Sequence, residues 1–282
     1  MIRQPDFKGV WIKVERAKEH ISDLQALVER FDQAEPYRAL AYCELETGDL
    51  VYEVKVSDQP PLRWSAIVGD AIHNLRSSLD LMVCETVRAK GNTVKKGTGF
   101  PVFKSARACA DEFNSGAPGQ VQGAPKRVVD FIKKSKPYKG ANNPLWRIHQ
   151  LDIADKHKLL VPVGMAHQGT INSYTMADVL EAYPGVTTFK LHELPTAQSI
   201  GIVVPELTFP LEDGAEIYRA PARLRTDPVA QMHMDPQFTF GIAFGEGEIV
   251  EGEPLVPTLH QFSQFIEGFV ESFVELFSQE YP

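Results

Sequence analysis

The sequence lacks the features that define several large protein classes. It has three cysteines (Cys43, Cys84 and Cys109), an odd number with no CxxC pair, which excludes a disulfide scaffold and favours reduced thiols in a cytoplasm. No stretch approaches the ~18 apolar residues of a membrane helix, and the first residues lack the apolar run of a signal peptide. We therefore expect a cytoplasmic protein without a membrane partner.

Common catalytic and nucleotide-binding motifs are also missing. The chain contains no P-loop, no GxGxxG and no GxSxG sequence, and no internal repeat. What it does have is 282 residues, of which 43% are hydrophobic and 10% aromatic, enough to bury a sizeable core. The composition predicts an ordinary globular protein and does not name a substrate.

Charge is distributed unevenly along the chain. The net charge is −8, but residues 1–87 carry −5, residues 88–158 carry +10, and residues 159–282 carry −13. The basic middle segment has two interpretations that both stay open. It could bind a phosphate-bearing partner through lysines interleaved with aromatic residues, or it could neutralise acidic parts of the same protein.

The spacing of apolar residues predicts an α+β fold. A three-to-four spacing indicates helices over 11–31, 63–90 and 258–278, with shorter helices starting at Ser105, Ala124-Pro125 and Asn143-Pro144, the last running to Lys158. Alternation indicates a hairpin over 37–56 that turns at Thr47-Gly48-Asp49, a short strand at 100–103, and several strands after residue 159. The clearest is 237–244, where Phe238, Phe240, Ile242 and Phe244 should share one covered face.

These elements predict a layer of amphipathic helices, with the N-terminal hairpin, packed with an antiparallel sheet and a C-terminal helix. We expect residues 1–158 to form a helix-rich region that holds the site. Residues 159–256 should form the antiparallel β region, and 257–282 a helix that packs back, so that the whole makes one compact unit.

The 63–90 and 144–158 helices carry the densest set of titratable side chains, and each has a histidine three residues before or after an aspartate. Arg76 would hold a phosphate, and a histidine would transfer protons while an aspartate orients it. The predicted catalytic residues are His73, Arg76, Asp80, Asp152 and His157. The predicted ligand-binding residues are Asn74, His149, Lys156, Lys133 and Lys134.

The string GDAIHNLRSSLDLMV (residues 69–83), together with DKHKLL (155–160), resembles an uncharacterised bacterial protein family over about residues 10–165. Its long helix is distantly similar to HEPN domains. Many of these are metal-independent ribonucleases with an Arg-x(4–6)-His motif, active as dimers. The resemblance implies RNA as the partner, a homodimer, and Arg76 as the motif arginine. No histidine occurs between 77 and 148, so the motif histidine is missing, and His73 lies one turn before Arg76 instead.

Three functions remain open at this point. The first is binding, with or without hydrolysis, of RNA or another phosphate-bearing ligand. The second is a non-catalytic interaction module in which an Arg76–Asp80 pair fixes helix packing. The third is a metal-dependent hydrolase, because Asp70-x-x-His73 and His149-x-x-Asp152-x-x-Asp155 have the spacing of helical-bundle metal ligands. We expect no metal to be bound there, and the sequence identifies no cofactor.

Overall fold

The computed structural model describes residues 3–160, 162–171, 201–202, 210–220, 236–245 and 249–278. Within them are six α-helices: α1 (Lys8–Gln33), α2 (Trp64–Ala89), α3 (Ala106–Asn114), α4 (Lys126–Ser135), α5 (Asn143–Asp155) and α6 (Leu255–Ser278). The strands are β1 (Tyr37–Cys43), β2 (Leu50–Val56), β3 (Pro162–Ile171), β4 (Gly201–Ile202), β5 (Glu216–Ala220) and β6 (Pro236–Phe244). The predicted α+β class is confirmed.

The chain divides into two compact units. The helical unit comprises Met1–Glu29, Pro61–Pro162 and Phe244–Pro282, and the strand unit comprises Arg30–Pro60 and Val163–Ala243. No helix in the described part of the chain is long and apolar enough to cross a membrane.

The helical unit is built around α2, which contacts both α5 and α6. Its apolar stripe, which includes Ile72, Leu75 and Leu79, is fully buried, as the three-to-four spacing predicted. Phenylalanines of α6 form edge-to-face ring contacts with aromatic residues elsewhere in this unit, among them Phe100 with Phe269 and Phe131 with Phe273. These aromatic contacts cover the stripe of α6.

The strand unit contains two three-stranded sheets, in the orders β1-β2-β5 and β4-β3-β6. The hairpin prediction is confirmed: β1 and β2 are antiparallel, with Tyr37 opposite Val56 and Cys43 opposite Leu50. β5 adds to β2 antiparallel, with a register shift after Tyr52.

Besides the ends of α1 and α6, which lie up to three residues beyond their predicted bounds, four local predictions differ from the structure. No strand forms at 100–103, where Phe103 makes only an isolated β-bridge, to Tyr138. The backbone N–H and carbonyl groups of Phe100 are instead hydrogen-bonded to side chains of α2. α4 was predicted to start at Ala124-Pro125, but Pro125 is its N-cap and the helix begins at Lys126. α5 was predicted to start at Asn143-Pro144 and run to Lys158, but its N-cap is Asn142 and it ends at Asp155.

The fourth difference concerns β6. It is a strand as predicted, yet its alternation holds only in part, because Gly241 and Ala243 are buried together with Ile242 and Phe244. The strands expected within 172–200 and 203–209 lie outside the described residues.

Candidate functional site

The polar faces of α2 and α5 meet inside the helical unit. Gly69 permits this approach, because a Cβ atom at that position would lie 2.3 Å from a carboxylate oxygen of Asp155. α5 begins where the Asn142 side chain accepts a hydrogen bond from the backbone N–H of Leu145. The interface contains two clusters, which differ in how far they are exposed.

The Arg76 cluster consists of Arg76, Asp80, His149 and the backbone of Phe100. The Arg76 guanidinium donates from Nε to His149 Nδ1 at 3.2 Å, from Nη1 to Asp80 Oδ1 at 2.7 Å, and from Nη2 to the carbonyl oxygen of Phe100 at 2.8 Å. Only 10% of its side chain is exposed. All three of its nitrogens therefore have protein partners, and the guanidinium ties α2 to α5 and to the segment at Phe100.

Asp80 is held from two directions in the same cluster. Its Oδ1 also accepts a hydrogen bond from the backbone N–H of Phe100 at 2.7 Å. Gly99 makes room for this contact, because a Cβ atom there would lie 2.4 Å from the same oxygen. Asp80 thus anchors the segment after α2 to the helix.

His149 is neutral in this arrangement. Its Nδ1 accepts a hydrogen bond from Arg76, so the proton of the neutral ring is on Nε2. Burial, and next the neighbouring Arg76 cation, lower the pKa of His149 from 6.5 to about 4. The residue completes the hydrogen bonding of Arg76 and is a poor proton acceptor near pH 7.

The His73 cluster consists of His73, Ser77, Asp152 and Lys156. His73 Nδ1 lies 2.9 Å from Asp152 Oδ1, and the carboxylate is buried (6% exposed) whereas the imidazole is 52% exposed. Because a carboxylate can only accept, Nδ1 carries the proton, and Nε2 of the neutral ring is a hydrogen-bond acceptor. Lys156 Nζ donates to the other oxygen, Asp152 Oδ2, at 2.5 Å.

The Ser77 hydroxyl lies on the outer side of the imidazole. Its Oγ is 3.3 Å from His73 Nε2, one helical turn along α2. With Nδ1 protonated, the hydroxyl donates to Nε2. The result is a chain of hydrogen bonds from a buried carboxylate through an exposed imidazole to a hydroxyl group.

A second carboxyl lies beside this cluster. Burial first, and then the nearby Asp152 and Asp70 carboxylates, raise the pKa of Asp155 above its ordinary value of 3.8. The charge of His73 acts on Asp155 in the opposite direction, which places both groups within electrostatic reach of each other. Asp155 therefore holds a proton more readily than an ordinary surface aspartate.

Several predicted site residues lie outside both clusters. Asn74 donates to the carbonyl oxygen of Asp70 and accepts from Lys13 Nζ of α1 at 2.9 Å, so it joins α2 to α1. His157 is exposed and lies two residues after the end of α5. Lys133 and Lys134 are exposed on α4, where the Lys133 ammonium lies 5.8 Å from the ring centre of Phe113.

Ser77 and the Phe100 backbone were not among the predicted site residues, and Asp155 was predicted only as a candidate metal ligand. For Ser77 a signal existed, since it lies four residues after His73 on one helix. A glycine inside a long helix is a further signal of close packing, and Gly69, in the second turn of α2, matches it. Nothing in the sequence points to the carbonyl oxygen of Phe100, because every residue has one.

Among the residues that the structure describes, no three His, Cys, Asp or Glu side chains are arranged to hold a metal ion. The Nδ1 atoms of His73 and His149 already have protein partners. The geometry thus offers no support for the metal-dependent alternative. Comparisons with protein-family models, with curated proteins and with solved structures find no match for this chain.

Proposed function

We propose that the His73 cluster is the acid–base site of a metal-independent hydrolase that acts on a phosphate-bearing substrate, with RNA as the first candidate. The observation that carries the proposal is the hydrogen bond between buried Asp152 and exposed His73. A buried carboxylate fixes the tautomer and orientation of an imidazole whose other nitrogen is free to accept a proton. The resemblance of α2 to HEPN helices supports RNA as the substrate, and a cytoplasmic location agrees with three cysteines that form no disulfide.

Each side chain has a defined role in this proposal. The Ser77 oxygen, 3.3 Å from His73 Nε2, marks the position that a substrate hydroxyl would take. His73 Nε2 removes the proton of the ribose 2′-hydroxyl, whose oxygen then attacks the adjacent phosphorus. The 5′-oxygen leaves and takes a proton from water. The products are a 2′,3′-cyclic phosphate and a 5′-hydroxyl, and the Lys156 ammonium offsets the charge that develops on phosphorus.

Arg76 has a different role from the one that the HEPN motif implies. Because its three nitrogens have protein partners and its side chain is 10% exposed, it positions α5 relative to α2. His149, from another helix, occupies the place beside the arginine, but its pKa of about 4 leaves it unsuited to accept protons at neutral pH. In the proposal, His73 therefore takes over proton transfer from the missing motif histidine.

A cleavage assay tests the proposal. A fluorescein-labelled single-stranded RNA is incubated with the full chain in EDTA, and the ends of the products are identified by mass spectrometry. We expect cyclic phosphate ends from the wild type. The rate should fall about 10²-fold or more for His73→Gln, because general-base catalysis contributes that much. His20→Gln is the matched control, since His20 is a histidine of α1 outside both clusters.

A specific observation favours a second function, that of a non-catalytic interaction module. The Arg76 cluster is fully satisfied internally, as a purely structural ion pair would be. If the wild type leaves RNA intact in EDTA and His73→Gln changes no measured property, the polar interface serves helix packing and the acid–base proposal is wrong.

A further inference from the structure

The helical unit contains a cavity that is separate from the α2–α5 interface. Its volume is about 400 Å³, and it is lined by the N-terminal segment, the last turn of α2, the start of α4 and the end of α6. From His73 to Thr86, which lines the cavity, α2 rises about 20 Å at ~1.5 Å per residue. The cavity therefore does not belong to the proposed acid–base site.

The charged residues in the described lining of this cavity are all basic. Four cationic residues line it, and none of the described residues in its lining is acidic. They are Arg3, Lys90, Lys126 and Arg127. Lys126 has a carboxylate partner, Asp130, at 3.7 Å, but both side chains are largely exposed and the pair is weak. Basic residues clustered around one concavity favour the binding of an anion there.

The rest of the lining is apolar or aromatic. The Arg127 guanidinium lies 4.1 Å from the ring centre of Phe277, and Pro5, Ala89 and Pro125 contribute further apolar surface. Stacking on the ring holds the guanidinium at the cavity wall. A site that combines convergent cations with apolar walls suits a ligand that has a charged part and an apolar part.

We propose that this cavity binds a small phosphate-bearing molecule of nucleotide size, with its phosphates toward the four cations and its apolar moiety against Phe277. The volume falls at the lower end of the range of small-molecule sites, ~300–1,000 Å³, and is sufficient for a nucleoside di- or triphosphate. Guanidinium and ammonium groups are the usual partners of phosphate oxygens. A concave site of this size favours a small molecule over a nucleic-acid strand, which would follow an extended groove.

The test uses the full chain and the fluorescent nucleotide trinitrophenyl-ATP as the probe, displaced in turn by ATP, adenosine and a single-stranded RNA. ATP should displace the probe and adenosine should not, and added salt should weaken binding. Arg127→Gln should weaken probe binding about tenfold or more, because hydrogen bonds to charged groups contribute that much. Lys90→Gln, at an exposed position, should also weaken it, whereas Lys96→Gln, an exposed lysine outside the lining, should not.

Other results would overturn the proposal. Probe binding that is equal in wild type, Arg127→Gln and Lys90→Gln would show that the probe does not occupy this cavity. Displacement by adenosine as effective as by ATP would show that the cations do not recognise phosphate. Displacement by RNA at lower nucleotide concentration than by ATP would assign the basic surface to a nucleic acid. Since these variants lie away from the His73 cluster, the RNA-cleavage assay is independent of the outcome.

Discussion

The two clusters of the α2–α5 interface use similar side chains in opposite ways. In the Arg76 cluster the cation is buried and has three protein partners, while its carboxylate, Asp80, is 41% exposed. In the His73 cluster the carboxylate, Asp152, is buried and the imidazole is 52% exposed. Burial of the cation produces a structural connection, whereas burial of the carboxylate leaves an oriented imidazole at the surface. Solvent thus reaches a carboxylate that is already bonded to Arg76 in one cluster, and an imidazole oriented by a buried carboxylate in the other.

Among the tests of the difference between the two clusters, we expect the largest effect on stability from removal of Arg76. Arg76→Ala deletes three hydrogen bonds and leaves the Phe100 carbonyl oxygen without its donor, so we expect a loss of about 2–3 kcal/mol in the free energy of unfolding. At about 2–4 °C per kcal/mol, the melting temperature should fall by about 5–10 °C. The exposed His73 should cost less than about 1 kcal/mol when changed to alanine. Thermal melts of both variants check the difference, and equal losses would contradict the division into two clusters.

The pH dependence of stability gives a second, smaller contrast. The pKa of His149 is about 4 in the folded chain, against 6.5 for an ordinary histidine. As the pH falls from 6.5 toward 4, the unfolded chain binds a proton that the folded chain does not, so stability is lost with acidification. We expect a loss of up to about 2 kcal/mol, since the ring is partly exposed and solvent screens it.

The matched variant for this prediction is His149→Gln, whose side-chain oxygen can still accept from Arg76 but does not titrate. Urea unfolding at several pH values should show a flatter profile for the variant between pH 6.5 and 4. A wild-type profile that coincides with that of His149→Gln would show that His149 is not held neutral.

The smallest expected effect is a gain in stability at Asp155. Its raised pKa means that the ionised carboxylate is disfavoured in the folded chain, so folding gains stability as the pH falls through the range between the ordinary and the raised value. Asp155 also lies at the C-terminal end of α5, where the helix dipole disfavours a negative charge. Asp155→Asn should therefore stabilise the protein at pH 7 by about 0.3–1 kcal/mol. The gain should shrink at low pH, where the wild-type carboxyl is protonated, and a thermal melt at pH 7 that shows a loss would oppose this account.

Much of the helical unit and part of the site could be predicted from the sequence. The apolar period of α2 predicted its bounds to within a residue, and it showed that His73, Ser77, Arg76 and Asp80 share one region of the helix. A second polar helix, α5, was predicted as its partner. Which side chains of the two helices would pair was not predictable, because His73 or His149 could each have met Asp80 or Asp152. The pairing depends on the rotation and axial offset of the two packed helices.

Local sequence patterns specify the helices and the residue types at the interface, because a helical period is a local property of the chain. Which of those residues become buried depends on long-range packing. Close approach at Gly69 and Gly99 brings Asp155 and Asp80 into contact with the backbone, and it directs the Phe100 carbonyl toward Arg76. Burial and hydrogen-bond partners come from residues far apart in the chain, and these decide that Arg76 is enclosed while His73 faces solvent.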